Sequence, residues 1–129
     1  MKKLLYLITA ASMIGNSGLA QTTVESCNRI VSFDAPPKRA ISNDVNLTEM
    51  MLVLGLADHM VGYTGISGWK TLDEEMRANV NQLPELSSKY PTKEVIVGAN
   101  ADFFFAGWNY GMKVGGEVTP GVSFLLIHA

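Results

Sequence analysis

The chain has 129 residues, with 10 basic against 12 acidic side chains and a formal net charge of −2. That balance excludes the usual way of holding nucleic acid, which is to neutralise phosphates with a surplus of lysine and arginine. Cys27 is the only cysteine, so no disulfide can close within these residues.

In chain order, Met1-Lys2-Lys3 is a positively charged start and Leu4–Ile14 (LLYLITAASMI) is an apolar run. Gly15–Ala20 (GNSGLA) is a small-residue stretch that sets Gly18 and Ala20 at the −3 and −1 positions of a cleavage site. This predicts a secretory signal peptide over residues 1–20, its apolar run too short for a stable membrane span. An exported α/β lobe then occupies residues 21–129. In an oxidising compartment the odd Cys27 points to a missing partner, an intermolecular bridge or a lipid anchor. The anchor fits least well, because Cys27 lies far beyond the apolar run.

Thr22–Phe33 alternates loosely, and Arg29–Phe33 (RIVSF) reads as a short strand. Asp34–Lys38 (DAPPK) is a turn, since two prolines block both helix and ladder. Arg39–Ser42 reads as a second strand. A polar loop, Asn43–Asn46, leads to a helix over Leu47–Leu54 capped by Asn46 or Thr48, with Glu49 placed toward the positive end of its dipole. Leu47, Met50, Met51 and Leu54 recur at helical spacing, and Gly55 ends the helix.

His59–Tyr63 is a strand leading into the glycine-bearing loop 64–68. Trp69–Val80 reads as a helix with Leu72, Met76 and Val80 inward and Asp73, Glu74, Glu75 and Arg77 outward. Gln82–Pro91 reads as a linker. Thr92 caps a third helix, Lys93–Ala99, with Val95, Ile96 and Ala99 inward. Asp102 turns into strand Phe103–Ala106, and after the glycine-rich stretch 107–121 a last strand spans Val122–Ile127. Strands alternating with helices predict an α/β fold, a parallel β-sheet flanked by helices. Continuous apolar runs such as FFFA fit strands covered on both faces, and the last strand is left as an open edge.

Ligands of parallel sheets collect at the carboxyl ends of the strands. The side chains predicted there are Asn43, Asn46, Tyr63, Trp69, Trp108, Asn109 and Tyr110. Lys89 and Tyr90 complete the candidate ligand-binding set, with Lys89 its main cation and Lys70 and Lys113 as secondary candidates. Aromatic plates with a few amides and hydroxyls make a binding wall, although each tryptophan can equally cap the sheet end as local packing. With few cations, the wall suits a neutral or weakly charged ligand with large flat surfaces better than a trianionic ferric catecholate.

Catalytic signals are thin. There is no GxSxG elbow and no phosphate-binding glycine fingerprint, since GMKVGG (111–116) opens no helix. His59 and His128 lack a spacing partner, so no metal site and no cofactor is expected. The acidic run 73–75 reads as a solvated helix face and the seven methionines as core filler. The competing functional class is a small secreted enzyme using Asp44 or Asp102 with His59. Such a role needs a carboxylate within hydrogen-bond reach of the histidine in an open cleft.

The segments VESC (24–27), VSFDAPPKRAIS (31–42), NLTEMMLVLGLADHMVGYTG (46–65) and LSSKYPTKEVIVGANADFFFAGWNYG (86–111) together resemble the periplasmic substrate-binding proteins of ABC importers for iron-siderophore, haem and cobalamin. One departure is Asn100-Ala101 before Asp102, where that family usually has proline. The larger departure is length, because the family has two α/β lobes bridged by a long helix. The resemblance therefore implies an N-terminal lobe cut short, whether as a working component or as a non-functional fragment. It implies periplasmic capture of an iron-siderophore, haem or cobalamin-like ligand and delivery to an inner-membrane permease, with no enzymatic step. It also implies a downstream partner for Cys27, and a permease-docking glutamate at Glu94, near the start of the helix before the Asp102 strand.

Overall fold

Strand β3, Ala40–Asn43, is buried at all four positions and organises the rest of the molecule. The computed structural model describes residues 21–26, 29–69, 71–107 and 123–126. Its main sheet is entirely parallel and has the order β5-β4-β3-β6-β7. The other strands are β4 (Met60–Thr64), β5 (Glu85–Ser87), β6 (Phe103–Ala106) and β7 (Ser123–Leu126). Helices α1 (Val45–Val53), α2 (Glu74–Val80) and α3 (Lys93–Gly98) cross between strands. A separate antiparallel pair, β1 (Thr22–Ser26) and β2 (Arg29–Phe33), precedes them.

The α/β reading of the sequence is the fold that forms. Alternate residues of the central strands feed opposite faces. Ala40, Phe103 and Phe105 pack with Leu47 and Met51 of α1, while Ile41 and Phe104 pack with Ile96 of α3. A third cluster, Tyr63, Ile66, Met76 and Val80, seats α2. Among the described residues β7 pairs on one side only, which makes it a sheet edge as read.

Several boundaries move, each for a local reason. Helix α1 starts two residues before the predicted Leu47 because Asp44, not Asn46 or Thr48, is its cap, its carboxylate accepting from Val45 N at 2.6 Å. Glu49 consequently falls outside the first turn. Met50 and Leu54 are exposed instead of inward. Thr48 takes the buried place, its hydroxyl shared with Ser42 Oγ at 2.7 Å and donated to Asp44 O at 2.8 Å. A hydroxyl that satisfied is cheap to bury.

Helix α2 begins at Glu74 rather than Trp69, since Asp73 caps it by accepting from Met76 N at 2.7 Å. Leu72, Met76 and Val80 still face the core. The predicted linker 82–91 contains β5, an edge strand three residues long and thus without a readable period. β1 is a full strand, β3 extends to Asn43, and a 3₁₀ turn at Ala57–His59 delays β4 to Met60. Gly55 ends α1 as read, at φ 71° with its N–H on Leu52 O at 2.9 Å. The predicted signal segment 1–20, Cys27, Lys70, residues 108–122, Ile127 and His128 lie outside the described residues.

Among the described non-glycine residues Asn100 and Asp44 take a positive φ, 51° and 77°, and Asp44 combines its value with ψ 158°. That region is nearly reserved for glycine and costs about 1–3 kcal/mol. Losing a cap to glycine costs only a few tenths of a kcal/mol, and to alanine about 1 kcal/mol. Asp44→Gly is therefore expected to stabilise the protein by about 1 kcal/mol and Asp44→Ala to destabilise it by about the same, read from urea midpoints. Equal losses in both variants would show that the backbone is not strained there.

Candidate carboxyl-edge binding site

Parallel strands bring their carboxyl ends, Asn43, Thr64, Ser87 and Ala106, to one edge of the sheet. Two buried polar side chains lie there. Asn43 Oδ1 accepts from Thr64 Oγ1 at 2.8 Å, both residues being fully buried. Asn43 Nδ2 is buried without a hydrogen-bond partner. The adjacent Asp44 N–H reaches across to Thr64 O at 2.9 Å, tying the β3 turn to β4. Gly65, at φ 76°, leaves room for this amide, because a Cβ there would sit 3.1 Å from Asn43 Oδ1.

The loops after β4 and β5 carry the exposed part of the site. The rings of Trp69 and Tyr90 lie 5.4 Å apart at 39°, and Lys89 Nζ stands 4.8 Å from the Trp69 centroid. Trp69 and Tyr90 are each about half exposed, 53% and 49%, so the cluster offers both flat apolar surface and a positive charge to solvent. Asn46, exposed in the first turn of α1, shares this edge.

Of the predicted set, then, Trp69, Lys89 and Tyr90 are brought into contact and Asn46 flanks the same edge. Asn43 is enclosed beneath it. Tyr63 belongs to the core against α2 and presents almost no surface; burial first, and the Glu85 carboxylate second, push its phenol above the ordinary tyrosine value. Trp108, Asn109 and Tyr110 lie outside the described residues. Glu94 is exposed in the first turn of α3, and its carboxyl is held below the ordinary glutamate value, first by a hydrogen bond from the Thr92 side chain and then by its own backbone N–H.

Sequence reasoning missed Glu85. It stands between Pro84 and Leu86 with no motif around it, yet its Oε1 accepts from Ile66 N at 3.2 Å and Ser67 N at 2.8 Å.

The histidine of the competing catalytic reading is elsewhere. His59 precedes β4, at the amino end of the sheet, where Nδ1 donates to Pro37 O at 3.1 Å. Asp44 lies at the opposite end. Asp102 uses both carboxylate oxygens on the backbone, accepting from Lys38 N and Arg39 N at 2.9 Å each. These contacts fasten the start of β3 to the start of β6.

A parallel lobe with its candidate site on the carboxyl edge is the class of structure the chain forms, and solved structures share it. A periplasmic binding protein from Veillonella parvula superposes with a TM-score of 0.59 at 24% identity, over 82% of this chain and 37% of its own. An ABC-type Fe3+-hydroxamate transport system from Saccharomonospora viridis gives a TM-score of 0.62 at 26% identity, over 81% of this chain and 38% of its own. The chain thus spans little more than a third of the length of either. No family model and no curated protein matches it. The resemblance read from the sequence and the fold similarity agree: this is the architecture of part of a periplasmic binding protein.

Proposed function

We propose that this lobe forms one wall of the ligand cleft of a periplasmic substrate-binding component of an ABC importer, and that its ligand is an iron-siderophore of the hydroxamate class. The observation that carries the reading is the exposed Trp69–Tyr90–Lys89 cluster at the carboxyl edge. That is where ligands of parallel sheets bind. Two rings and one ammonium suit a large, weakly charged chelate. A highly anionic one would call for more cations than the described part of this edge supplies. The Saccharomonospora viridis similarity points the same way. Export to the periplasm through the segment 1–20 belongs to the same proposal, as does the absence of a chemical step.

A single wall leaves half of such a ligand in water. Aromatic contacts of about 0.5–1.5 kcal/mol each then fall short of association costs of roughly 4–15 kcal/mol. Ferrioxamine B is therefore expected to quench tryptophan fluorescence with half-saturation in the millimolar range, and Trp69→Ala is expected to abolish most of that change. Haemin and cyanocobalamin, titrated in parallel, test the ligand class. If none of the three quenches, or if quenching is the same without Trp69, the reading fails. Micromolar binding would mean that one lobe suffices.

Glu94 is proposed as the permease-docking residue. It is solvent-exposed, with its carboxyl below the ordinary glutamate value through the Thr92 hydrogen bond, and rim charges govern association rate and salt dependence more than ligand affinity. In transport-competent protein, Glu94→Ala should slow uptake and flatten its salt dependence while leaving ligand titrations unchanged. Wild-type uptake with wild-type salt dependence would leave Glu94 a helix residue only.

A further inference from the structure

Five consecutive backbone N–H groups, Gly65 to Trp69, all find acceptors, and four of them end on one short segment, residues 85–88. Gly65 donates to Ser87 O at 2.9 Å and Gly68 to Ser88 O at 2.8 Å. Between them Ile66 and Ser67 donate to the same carboxylate oxygen, Glu85 Oε1, at 3.2 and 2.8 Å. Trp69 N closes the turn on Ile66 O at 3.0 Å. Successive N–H groups converging in this way form a concavity that selects anions. Here a side chain of the protein itself fills it.

The packing leaves the turn little freedom. Ile66 is fully buried against Tyr63, Met76 and Val80. At Gly68 a Cβ would lie 2.5 Å from Ser88 O and 2.6 Å from Lys89 Cγ, so the two loops touch backbone to backbone. Trp69 follows directly, exposed, with Lys89 and Tyr90 carried on the other loop. The relative position of the three side chains is thus set by how the 65–69 turn is held to the 85–88 segment.

We infer that Glu85 is the positioning residue of the Trp69–Lys89–Tyr90 platform: its carboxylate stands in for a bound anion and fixes the turn before any ligand arrives. Hydrogen bonds to an ionised acceptor are roughly twice as strong as neutral ones. A turn ordered in advance spares the ligand the cost of ordering it. The functional value of this arrangement rests on the platform being a ligand wall, but the loop can be read without any ligand. Failure of one claim is therefore distinguishable from failure of the other.

The test is amide hydrogen exchange on Glu85→Met, which keeps the length of the side chain without an oxygen, and on Glu85→Gln, which keeps an oxygen without the charge. Tryptophan anisotropy is read in a Trp108→Phe background, where Trp69 is the only tryptophan of the two. Glu85→Met is expected to speed exchange at Ile66 and Ser67 about tenfold or more relative to β3 and β6, and to lower the anisotropy of Trp69. Glu85→Gln should show the same selective effect at smaller size. Unchanged exchange at Ile66 and Ser67, or acceleration spread equally through β3 and β6, would overturn the inference. Should Glu85→Met not fold, Glu85→Gln decides alone. Selective acceleration at the two amides supports the assignment, and uniform or absent acceleration refutes it.

Discussion

Phe104→Ala is expected to destabilise the protein by about 3–5 kcal/mol, the range for emptying a buried aromatic site. Phe104 is fully buried in β6, with β3 on one side and β7 on the other. Its ring is enclosed with Ile41, Ile96, Ala101 and Ala106. Two of those neighbours are alanines, which cannot swing inward to fill the space, so the cavity term stays close to its full size. Domains are stable by only about 5–15 kcal/mol, and the loss takes a large part of that. Urea denaturation followed by far-UV circular dichroism should show a lower midpoint with an unchanged slope. A loss under about 1 kcal/mol would mean that this face of the sheet collapses around the gap.

Gly62→Ala should cost about 1–3 kcal/mol, the usual penalty for forcing a methyl into filled space, and it should act on the binding edge as well. A Cβ at this position would lie 2.7 Å from Pro84 O and 2.7 Å from Leu86 Cγ. The leucine end can move, but the carbonyl accepts from Tyr63 N at 3.1 Å and belongs to the junction of β4 and β5. Relief therefore requires β5 to shift outward. Glu85 and Ser87 move with it, and they hold the 65–69 turn. Loss of stability is expected together with faster amide exchange at Gly65 to Ser67. A fall in stability with those amides unaffected would separate β5 from the platform.

The fold class was legible because its signals are local and repeated. FFFA reads as a strand buried on both faces, and β6 occupies the predicted residues, Phe103–Ala106. Met76 and Val80 face inward because helical spacing puts them there whatever the helix packs on. Gly55 ends α1 because the positive φ required just past a helix favours glycine. Trp69 was placed at the carboxyl edge in the same way, by its position in the loop after a predicted strand, whereas its contact with Lys89 and Tyr90 depends on β5.

Long-range pairing hid the rest. The 82–91 stretch looks like a linker, since three residues of β5 carry no periodicity, and only the free edge of β4 makes them a strand. Thr48 displaced Met50 from the buried face because Ser42 Oγ and Asp44 O were waiting for its hydroxyl, partners that helical spacing does not reveal. Tyr63 looked like part of a binding wall by its place in the chain, but strand alternation turned it toward α2. The sequence by itself determined the alternation of strand and helix and the approximate places of β2, β3, β4, β6 and the three helices, because apolar spacing and turn residues are local signals. Only the tertiary structure decided that Asn43 is enclosed, that Asp44 holds a strained turn and that Glu85 anchors Ile66 and Ser67, because hydrogen bonds between residues some twenty apart depend on sheet register and leave no local trace in composition.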